Sequence, residues 1–317
     1  MLFNCTNSQE LVGKTALSRE RTDPVTFSNH FYRIRTKKSE LDPEFLALWL
    51  ADQFARGVFG RGCVRWVNQA TYRNDRLVEL KIPLPPLAEQ KRIAAKLHKA
   101  DKIRNKRKQL LQLADDFLRS LYFDTFAGKG RPVHSLPLSK CLELINGRAF
   151  KTTEWKISGK PIIRIQNLKD SRAEFNYFSG DCDPRHEVKK GDLLLSWAGQ
   201  LVSFGVHIWP GPEGVLNQHI FKVVTKVPFD LHYLERALSE VVRSIASQFR
   251  GIEMKHLTKE ALNQCEIPYP DLERQRAFGQ VALAIAALKD RLQDLNIQNE
   301  SMIAALSHQA FRGGSSQ

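Results

Sequence analysis

Residues 82–94 read IPLPPLAEQKRIA, and residues 267–279 read IPYPDLERQRAFG. The two stretches align without a gap at an offset of 185 residues, which places Gln90 on Gln275. Solenoid proteins repeat every 20–50 residues or so, and the period found here is far longer, which excludes that architecture. The chain instead contains two large units of one design.

A long helix is predicted after each proline pair, because prolines cannot continue a strand or enter a helix interior and so mark a boundary. In the second copy a heptad seam follows, and its single polar member, Asn299, is of a type that fixes register. The seam consists of Phe278, Val281, Ile285, Leu288, Leu292, Leu295, Asn299, Met302 and Leu306. The first copy has the same register at Ile93, Lys96, Ala100, Ile103, Arg107, Leu110, Ala114, Phe117 and Leu121. We expect the helices to pack antiparallel; the alternative is that each lies on its own domain.

The first helix carries a dense basic stretch, KRIAAKLHKADKIRNKRK, at residues 91–108. Nine of these residues are Lys or Arg, and Asp101 is the only acidic one. A charge run usually forms a solvated helix face. We interpret this one as a surface near DNA backbone or near an acidic partner, and the sequence leaves both open.

The composition favours a polyanionic partner. Of 317 residues, 48 are Lys or Arg and 34 are Asp or Glu, giving a formal net charge of +14; a soluble protein that is merely basic is the alternative. Five scattered cysteines without a C-x-x-C pair argue against a disulfide framework or zinc site. Neither a signal peptide nor a membrane span is visible, so we expect a cytoplasmic protein.

Two globular segments precede the proline motifs. The later one mixes strand patterns, helical patterns and turn signals, as an α+β domain does. The earlier one aligns with the later half of that domain, since NHFYRI at 29–34 resembles QHIFKV at 218–223. Likewise Leu2-Phe3-Asn4 falls where Leu194-Leu195-Ser196 stands in the second unit. By the repeat period, we expect about 55–60 residues to be missing from the beginning of the first domain. The predicted organisation is a first domain at 1–81, a helix at 82–128, a second domain at 129–266, and a helix and tail at 267–317.

The proline motif resembles that of the specificity subunits of type I restriction–modification systems. These have two variable target-recognition domains, each followed by a conserved helix that opens like IPLPPLAEQKRIAAKL, the string at residues 82–97. Further stretches similar to the family are LFNCTNSQELVGKTAL (2–17), IIRIQNLKD (162–170), GDLLLSWAG (191–199), VLNQHIFKV (215–223) and MKHLTKEAL (254–262). Together with the repeat, the resemblance covers nearly the whole chain.

The resemblance implies an α+β protein with a two-fold pseudo-repeat of α/β target-recognition domains, whose long helices pack as an antiparallel coiled coil. The domains would read the two halves of a split double-stranded DNA target, and the helices would set the gap. Modification subunits would dock on the chain and methylate adenine with S-adenosylmethionine, and restriction subunits would add ATP- and Mg-dependent translocation and cleavage. The chain itself would hold no cofactor and no catalytic centre.

Two departures from the family pattern leave alternatives open. The first domain lacks its beginning in this alignment, and Asp271 and Arg274 stand where the first motif has Pro86 and Glu89. The alternatives are a truncated or silent remnant, and a half-type subunit that acts as a homodimer on a palindromic target. An adenine methyltransferase or a nuclease ranks behind both.

Catalytic motifs are absent from the sequence. LVGKT at 11–15 lacks the first glycine of a phosphate-binding loop, because Ser8 stands there. The glycines at 57, 60 and 62 have the wrong spacing for a dinucleotide loop. No [DNS]-P-P-[YF] tetrapeptide and no H-x-x-x-H pair occurs, so we predict neither catalytic nor metal-binding residues.

DNA contact is predicted for polar and basic residues, because Asn and Gln pair with adenine, Arg with guanine and Lys with phosphate. In the second domain the candidates are Arg164, Gln166, Asn167, Lys169, Trp197, Gln200, Asn217, Gln218, His219, Lys255 and His256. In the first domain they are Lys14, Asn29, His30, Arg61 and Arg73. For Trp197 a place in the core, and for His219 an internal hydrogen bond, are the alternatives. The candidates for structure and partner docking are Leu84, Pro85, Leu87, Gln90, Ile93 and Leu97.

Overall fold

Two compact units divide the chain in the computed structural model. Unit 1 comprises Met1–Leu111 and Asp290–Gln317, and unit 2 comprises Gln112–Lys289. The structure describes residues 1–18, 24–127, 133–170, 173–197, 204–248 and 258–312. Both unit boundaries fall inside long helices, α4 (Leu87–Tyr122) and α9 (Leu272–Arg312). The long helices predicted after each proline pair are therefore present, and each unit contains a segment of both.

Unit 1 combines short strands with short helices. Its strands are β1 (Leu2–Asn4), β2 (Thr6–Asn7), β3 (Thr15–Ala16), β4 (Phe31–Arg33), β5 (Val64–Arg65) and β6 (Ala70–Thr71). Its helices, besides the long ones, are α1 (Pro43–Ala55), α2 (Val58–Gly62) and α3 (Asn74–Val78). The strands form two antiparallel sheets, in the orders β3-β1-β4 and β2-β6-β5. Helix α1 begins at Asp42, whose carboxylate accepts hydrogen bonds from the N–H groups of Glu44 and Phe45.

Both segments of unit 1 contribute to one core. The fully buried Phe45 of α1 packs edge-on against Phe311 of α9, with ring centroids 5.5 Å apart. Along the long helices, Asn299 donates to the carbonyl oxygen of Ala100 at 3.0 Å. Since Arg107 likewise donates to Leu295 at 2.7 Å, higher numbers on α4 meet lower numbers on α9. The helices therefore run antiparallel in unit 1, as predicted.

Unit 2 is larger and richer in strands. These are β7 (Ser135–Pro137), β8 (Leu142–Asn146), β9 (Lys160–Ile163), β10 (Asn176–Phe178), β11 (Glu187–Val188), β12 (Leu193–Ser196), β13 (Gly205–Ile208), β14 (Gly214–Leu216), β15 (Ile220–Thr225) and β16 (Glu266–Pro268). Its shorter helices are α5 (Leu138–Cys141), α6 (Ile165–Lys169), α7 (Leu231–Gln248) and α8 (Lys259–Asn263). The strand orders are β10-β9-β14-β11, β13-β12-β15-β8 and β16-β7. This arrangement confirms the predicted α+β class.

The core of unit 2 lies between the sheet that contains β12 and β15, helix α7 and the long helices. Tyr122 and Phe126 pack against Tyr233 of α7 and Phe278 of α9, with ring centroids 4.9–6.1 Å apart. In the same unit Lys289 pairs with Asp115 at 2.7 Å. The helices therefore also run antiparallel here. None of the described helices is both long and apolar enough to cross a membrane.

The contact between the long helices is narrower than the predicted seam. Every seventh residue of α9 is buried or half-buried, as predicted for Phe278, Leu292 and Asn299. The alternate seam positions Leu288 and Met302 are each 47% exposed. Four small residues of the two helices are buried as well. They are Ala94, Ala100, Ala114 and Ala282.

The strand register supports the alignment of the two globular segments. Phe3 of β1 lies opposite Tyr32 of β4, and Leu195 of β12 lies opposite Phe221 of β15. These are the pairs that the sequence alignment superimposes. The residue after each first strand also makes the same backbone hydrogen bond, from Cys5 to the His30 carbonyl at 2.9 Å and from Trp197 to the His219 carbonyl at 3.2 Å.

Candidate nucleic-acid interface

A tight turn before β15 brings four of the predicted DNA-contacting residues of unit 2 together. The N–H of Ile220 donates to the Asn217 carbonyl at 3.2 Å and closes the turn. Gln218 is exposed, and its Nε2 lies 3.1 Å from Nε2 of His219. The His219 ring lies 5.6 Å from Trp197. Amide and imidazole groups on one turn, with Gln218 exposed and Asn217 and His219 half-buried, are suited to hydrogen bonding with base edges.

Trp197 has a structural role at this turn. It is half-buried and stacks on Phe221, with ring centroids 5.5 Å apart and an interplanar angle of 24°. This packing agrees with the alternative in which Trp197 belongs to the core, and the Trp197 and His219 rings meet edge-on.

Arg164 lies beside the turn. The residue before it, Ile163, accepts a hydrogen bond through its carbonyl from the N–H of Asn217, at 3.1 Å, which brings Arg164 close. Its Nη1 donates to Oδ1 of Asn176 at 2.8 Å, and its guanidinium carbon lies 5.0 Å from the centroid of the Trp155 ring. The stacked and hydrogen-bonded guanidinium is held in one orientation, which favours directional hydrogen bonding.

Helix α6 follows Arg164 and carries three other candidates, two of which are exposed and one of which is buried. Gln166 and Lys169 are exposed, and Gln166 donates to the Glu174 carbonyl at 3.2 Å. Asn167 is 1% exposed. Its Oδ1 accepts from the Arg164 N–H at 3.0 Å, and its Nδ2 donates to the Ala173 carbonyl at 3.1 Å. Because both ends of this amide are used inside the fold, Asn167 shapes the loop and presents no edge to a ligand.

The half-buried imidazole of His207 is neutral at neutral pH. Burial, together with a smaller effect of the positive charge of Lys169, lowers the pKa of His207, on β13, to about 4. At neutral pH the positive charge on this side of unit 2 therefore comes from Lys169 and not from His207.

The equivalent turn of unit 1 carries Asn29 and His30, both exposed. The Ser28 hydroxyl donates to Oδ1 of Asn29 at 3.2 Å and accepts from the His30 N–H at 3.2 Å. Lys14 is exposed as well, with its Nζ 6.0 Å from the centroid of the Phe54 ring. The two turns thus occupy corresponding places in their units.

Arg61 and Arg73 lie apart from this turn in sequence, at either end of the β5–β6 hairpin, and both are exposed. Arg73 forms a two-pronged ion pair with Asp75, at 3.2 and 2.7 Å. Gln200, Lys255 and His256 lie outside the described residues.

Arg148 belongs to the candidate interface although it was not predicted. It forms an isolated β-bridge with Asn217, and its guanidinium carbon lies 4.8 and 4.6 Å from the ring centroids of Phe150 and Phe178. Glu154 pairs with its Nη2. The only sequence signal is a basic residue after a glycine at a strand end, which is too common to select it. Trp66, at the tip of the β5–β6 hairpin, was not predicted either, and it is 69% exposed.

The basic stretch of α4 forms an open lysine-rich face in unit 1. Arg92 pairs with Glu89, and Arg104 pairs with Asp101. Lys91, Lys99, Lys102 and Lys106, here called the lysine strip, are exposed and make no ion pair with the described residues. At 100° per residue these four lysines fall within a sector of about 80° on the side away from the buried alanines.

The candidates for partner docking divide into two groups. Leu84, Pro85, Ile93 and Leu97 line a groove of about 640 Å³ in unit 1, together with Leu306 and Ala310. Leu84 is 56% exposed, whereas Leu97 is 4% exposed and forms the floor. Gln90 is fully buried, and Leu87 is half-buried and does not line this groove.

Comparison with known proteins gives a consistent result. The family model of the type I restriction modification DNA specificity domain matches residues 3–113 and 137–282. The putative type I restriction enzyme MjaX specificity subunit of Methanocaldococcus jannaschii is 25% identical, over 92% of this chain and 72% of that protein. The type I restriction enzyme EcoKI specificity subunit of Escherichia coli is 32% identical, over 40% of this chain and 32% of its own length.

Solved structures show the same fold. A type I restriction–modification S subunit from M. genitalium has a TM-score of 0.58 at 16% identity, over 87% of this chain and 74% of that chain. A structure described as the basis of complex assembly and conformational transition of the type I R-M system has a TM-score of 0.56 at 19% identity, over 99% and 82% of the two chains. With the family model matching both halves of the repeat, this chain belongs to the family of type I restriction–modification DNA specificity subunits.

Proposed function

We propose that this chain reads a bipartite DNA target for a type I restriction–modification complex, with one half of the target contacted by each unit. The supporting observation is that the same polar turn, beside the same pair of antiparallel strands, occurs in both units. Asn29 and His30 form it in unit 1, and Gln218 and His219 form it in unit 2. Two copies of one reading element fit a target with two defined halves.

The charge of the chain supports binding to duplex DNA. A net charge of +14 favours a polyanion, and each phosphate that a lysine neutralises releases a bound counterion. In this proposal the turn residues read base edges. The exposed lysines hold the backbone and carry no sequence information.

Exposed apolar residues on the long helices support docking of modification subunits. In unit 2, Leu113 and Phe117 of α4 are 61% and 52% exposed, and Leu288 of α9 is 47% exposed. Apolar side chains exposed in a row on a helix commonly pack against helices of another protein. Catalysis, S-adenosylmethionine, ATP and Mg are assigned to the partner subunits in this proposal, and the chain itself acts by recognition and assembly.

Co-expression with a cognate modification subunit, followed by mapping of N6-methyladenine in the host DNA, tests the proposal. We expect a split motif with defined bases on both sides of a fixed gap. Gln218→Ala should relax or abolish the half read by unit 2, whereas the exposed α9 residue Gln298, replaced by Ala, should leave the motif unchanged. A palindromic motif would indicate a half-type dimer, and the absence of methylation would contradict a recognition role.

A further inference from the structure

The tip of the β5–β6 hairpin exposes two large apolar residues. Strand β5 (Val64–Arg65) pairs with β6 (Ala70–Thr71), and residues Trp66–Gln69 connect them. Trp66 is 69% exposed and Val67 is 99% exposed. By contrast, Trp49 and Trp209 are 5% and 0% exposed. Because the side chains of Trp66 and Val67 bury little apolar surface, the tip contributes little to the stability of the fold.

The hairpin that carries these residues is firmly held. The N–H of Trp66 donates to the Gln69 carbonyl at 2.7 Å and closes the connection. On its other side β6 pairs with β2, where the Thr6 and Thr71 hydroxyls lie 3.2 Å apart. At its base, Arg76 donates to the Gly62 carbonyl at 2.8 Å. The exposed side chains therefore project from a braced support.

The hairpin and its base carry an excess of positive charge. Residues 61–76 contain four arginines and one acidic residue, Asp75, which pairs with Arg73. Arg65 precedes the tip and is exposed, and the polar Asn68 and Gln69 complete the connection and are exposed as well. Arginine and tryptophan occur in both kinds of interface, but a net excess of positive charge is typical of a surface for nucleic acid.

We propose that the tip Trp66–Gln69 is a DNA wedge: the hairpin enters a groove of duplex DNA, with Trp66 against the bases and the flanking arginines on the phosphates. A two-stranded ribbon fits the major groove, and an apolar side chain at its end can pack against or between base steps. This inference rests on the proposed function and adds a contact that is separate from the polar turn at Asn29 and His30. Because the indole reads shape and stacking, its contribution depends less on sequence than that of the turn.

The test uses the full chain co-purified with its modification subunit and a random-sequence 40-base-pair duplex. We expect Trp66→Ala to weaken binding at least fivefold, since stacking of one aromatic on a base accounts for a factor of this size or more. Trp66→Phe should recover part of the loss. The control is Val78→Ala, which removes a residue of α3 that is 73% exposed but lies outside the hairpin.

Fluorescence gives a second, independent readout, because Trp66 is the most exposed tryptophan of the chain. DNA should protect the wild-type fluorescence from acrylamide quenching and should have a much smaller effect on Trp66→Phe. Equal affinities and equal quenching for all variants, with DNA binding intact, would overturn the wedge and leave the proposed function standing. If protection required the modification subunit but no DNA, the tip would be a protein contact, and the wedge would also be overturned. Failure of the wild-type complex to bind any duplex would overturn both proposals.

Discussion

Gln90 and Gln275, 185 residues apart in the sequence, make the same hydrogen bonds in their separate units. Each donates through Nε2 to the carbonyl of the proline five residues earlier, at 2.8 Å for Pro85 and 2.9 Å for Pro270. Each accepts, through Oε1, from the N–H of an aspartate that caps a helix, at 2.8 Å for Asp42 and 3.0 Å for Asp230. The glutamine of the proline motif thus locks the start of a long helix to the first turn of a domain helix.

Removal of either glutamine is expected to destabilise its own unit. Gln90 is fully buried and also donates to the Glu40 carbonyl at 2.9 Å, so Gln90→Ala leaves three backbone groups without partners and should cost about 3 kcal/mol. Hydrogen exchange should rise in α1 for this variant and in α7 for Gln275→Ala. The control is Gln109→Ala at an exposed position of α4. If Gln90→Ala and Gln109→Ala showed equal hydrogen exchange in α1, the proposed role of Gln90 in holding α1 would be contradicted.

Substitution of Gly279 by alanine is expected to destabilise the protein, although this glycine lies within helix α9. A Cβ at this position would come within 2.1 Å of Oδ1 of Asp230, which accepts from the N–H groups of His232 and Tyr233. Gly279→Ala should therefore lower the free energy of unfolding, although alanine is favoured over glycine in a helix interior by about 1 kcal/mol. Urea denaturation measures the change. A more stable variant would show that Asp230 can move away without loss of its cap.

Acid should destabilise unit 2 through His207. Burial holds its pKa at about 4 in the folded protein, below its ordinary value of 6.5. Between these two values only the unfolded chain binds the proton, so stability falls as the pH drops from 6.5 towards 4, by up to about 3 kcal/mol. His207→Gln should flatten this part of the profile in thermal unfolding at stepped pH. Lys169→Gln, which removes the smaller cause, should flatten it less. If stability fell as steeply with decreasing pH in His207→Gln as in the wild type, other groups would cause the loss of stability in acid.

Substitution of the lysine strip can show whether this face of α4 binds DNA or an acidic partner. Lys91, Lys99, Lys102 and Lys106 span about 22 Å along α4, the length of about six base-pair steps. If each neutralises one phosphate, replacing all four by Gln should reduce the slope of log K against log salt by about 3.6. Binding of a 40-base-pair duplex at several salt concentrations measures it. An unchanged slope combined with weaker assembly would favour the acidic partner.

The exposed apolar row on the long helices should matter for assembly and not for folding. Phe117→Ser on α4 removes a side chain that is 52% exposed, so its effect on stability should stay within about 0.5 kcal/mol. Its binding to the modification subunit, measured by sedimentation velocity, should weaken at least tenfold. The neighbouring Leu118→Ser changes a residue that is 5% exposed and should instead unfold part of unit 2. Wild-type assembly by Phe117→Ser would place the docking surface elsewhere.

Sequence patterns identified the framework of this protein well. The offset of the repeat, the two long helices, their antiparallel packing and the alignment of Phe3 with Leu195 all follow from residue spacing and are confirmed by the structure. Spacing succeeds here because helix and strand periodicities directly reflect which side of an element is buried.

The sequence did not reveal which apolar residues stay exposed. Leu288 and Met302 fit the heptad as well as Leu292 does, but each of them is 47% exposed and Leu292 is buried. Asn167 looked as suitable for base contact as Gln218, but its amide is used up by a loop whose path the sequence does not show. Arg148 depends on the rings of Phe150 and Phe178, which folding brings close, and the exposure of Trp66 depends on its place at a hairpin tip. A single residue type carries no record of either.

The contact between Phe45 and Phe311 has a consequence for synthesis of the chain. Unit 2 is one continuous segment, Gln112–Lys289, whereas unit 1 needs residues from both ends of the sequence. At about 5–20 residues per second, the ribosome completes all of unit 2 before the residues that close the core of unit 1 emerge. Most of unit 1 is therefore synthesised before unit 2, but unit 1 is completed after it. Until then Phe45 lacks its contact with Phe311, which is encoded more than 200 codons later.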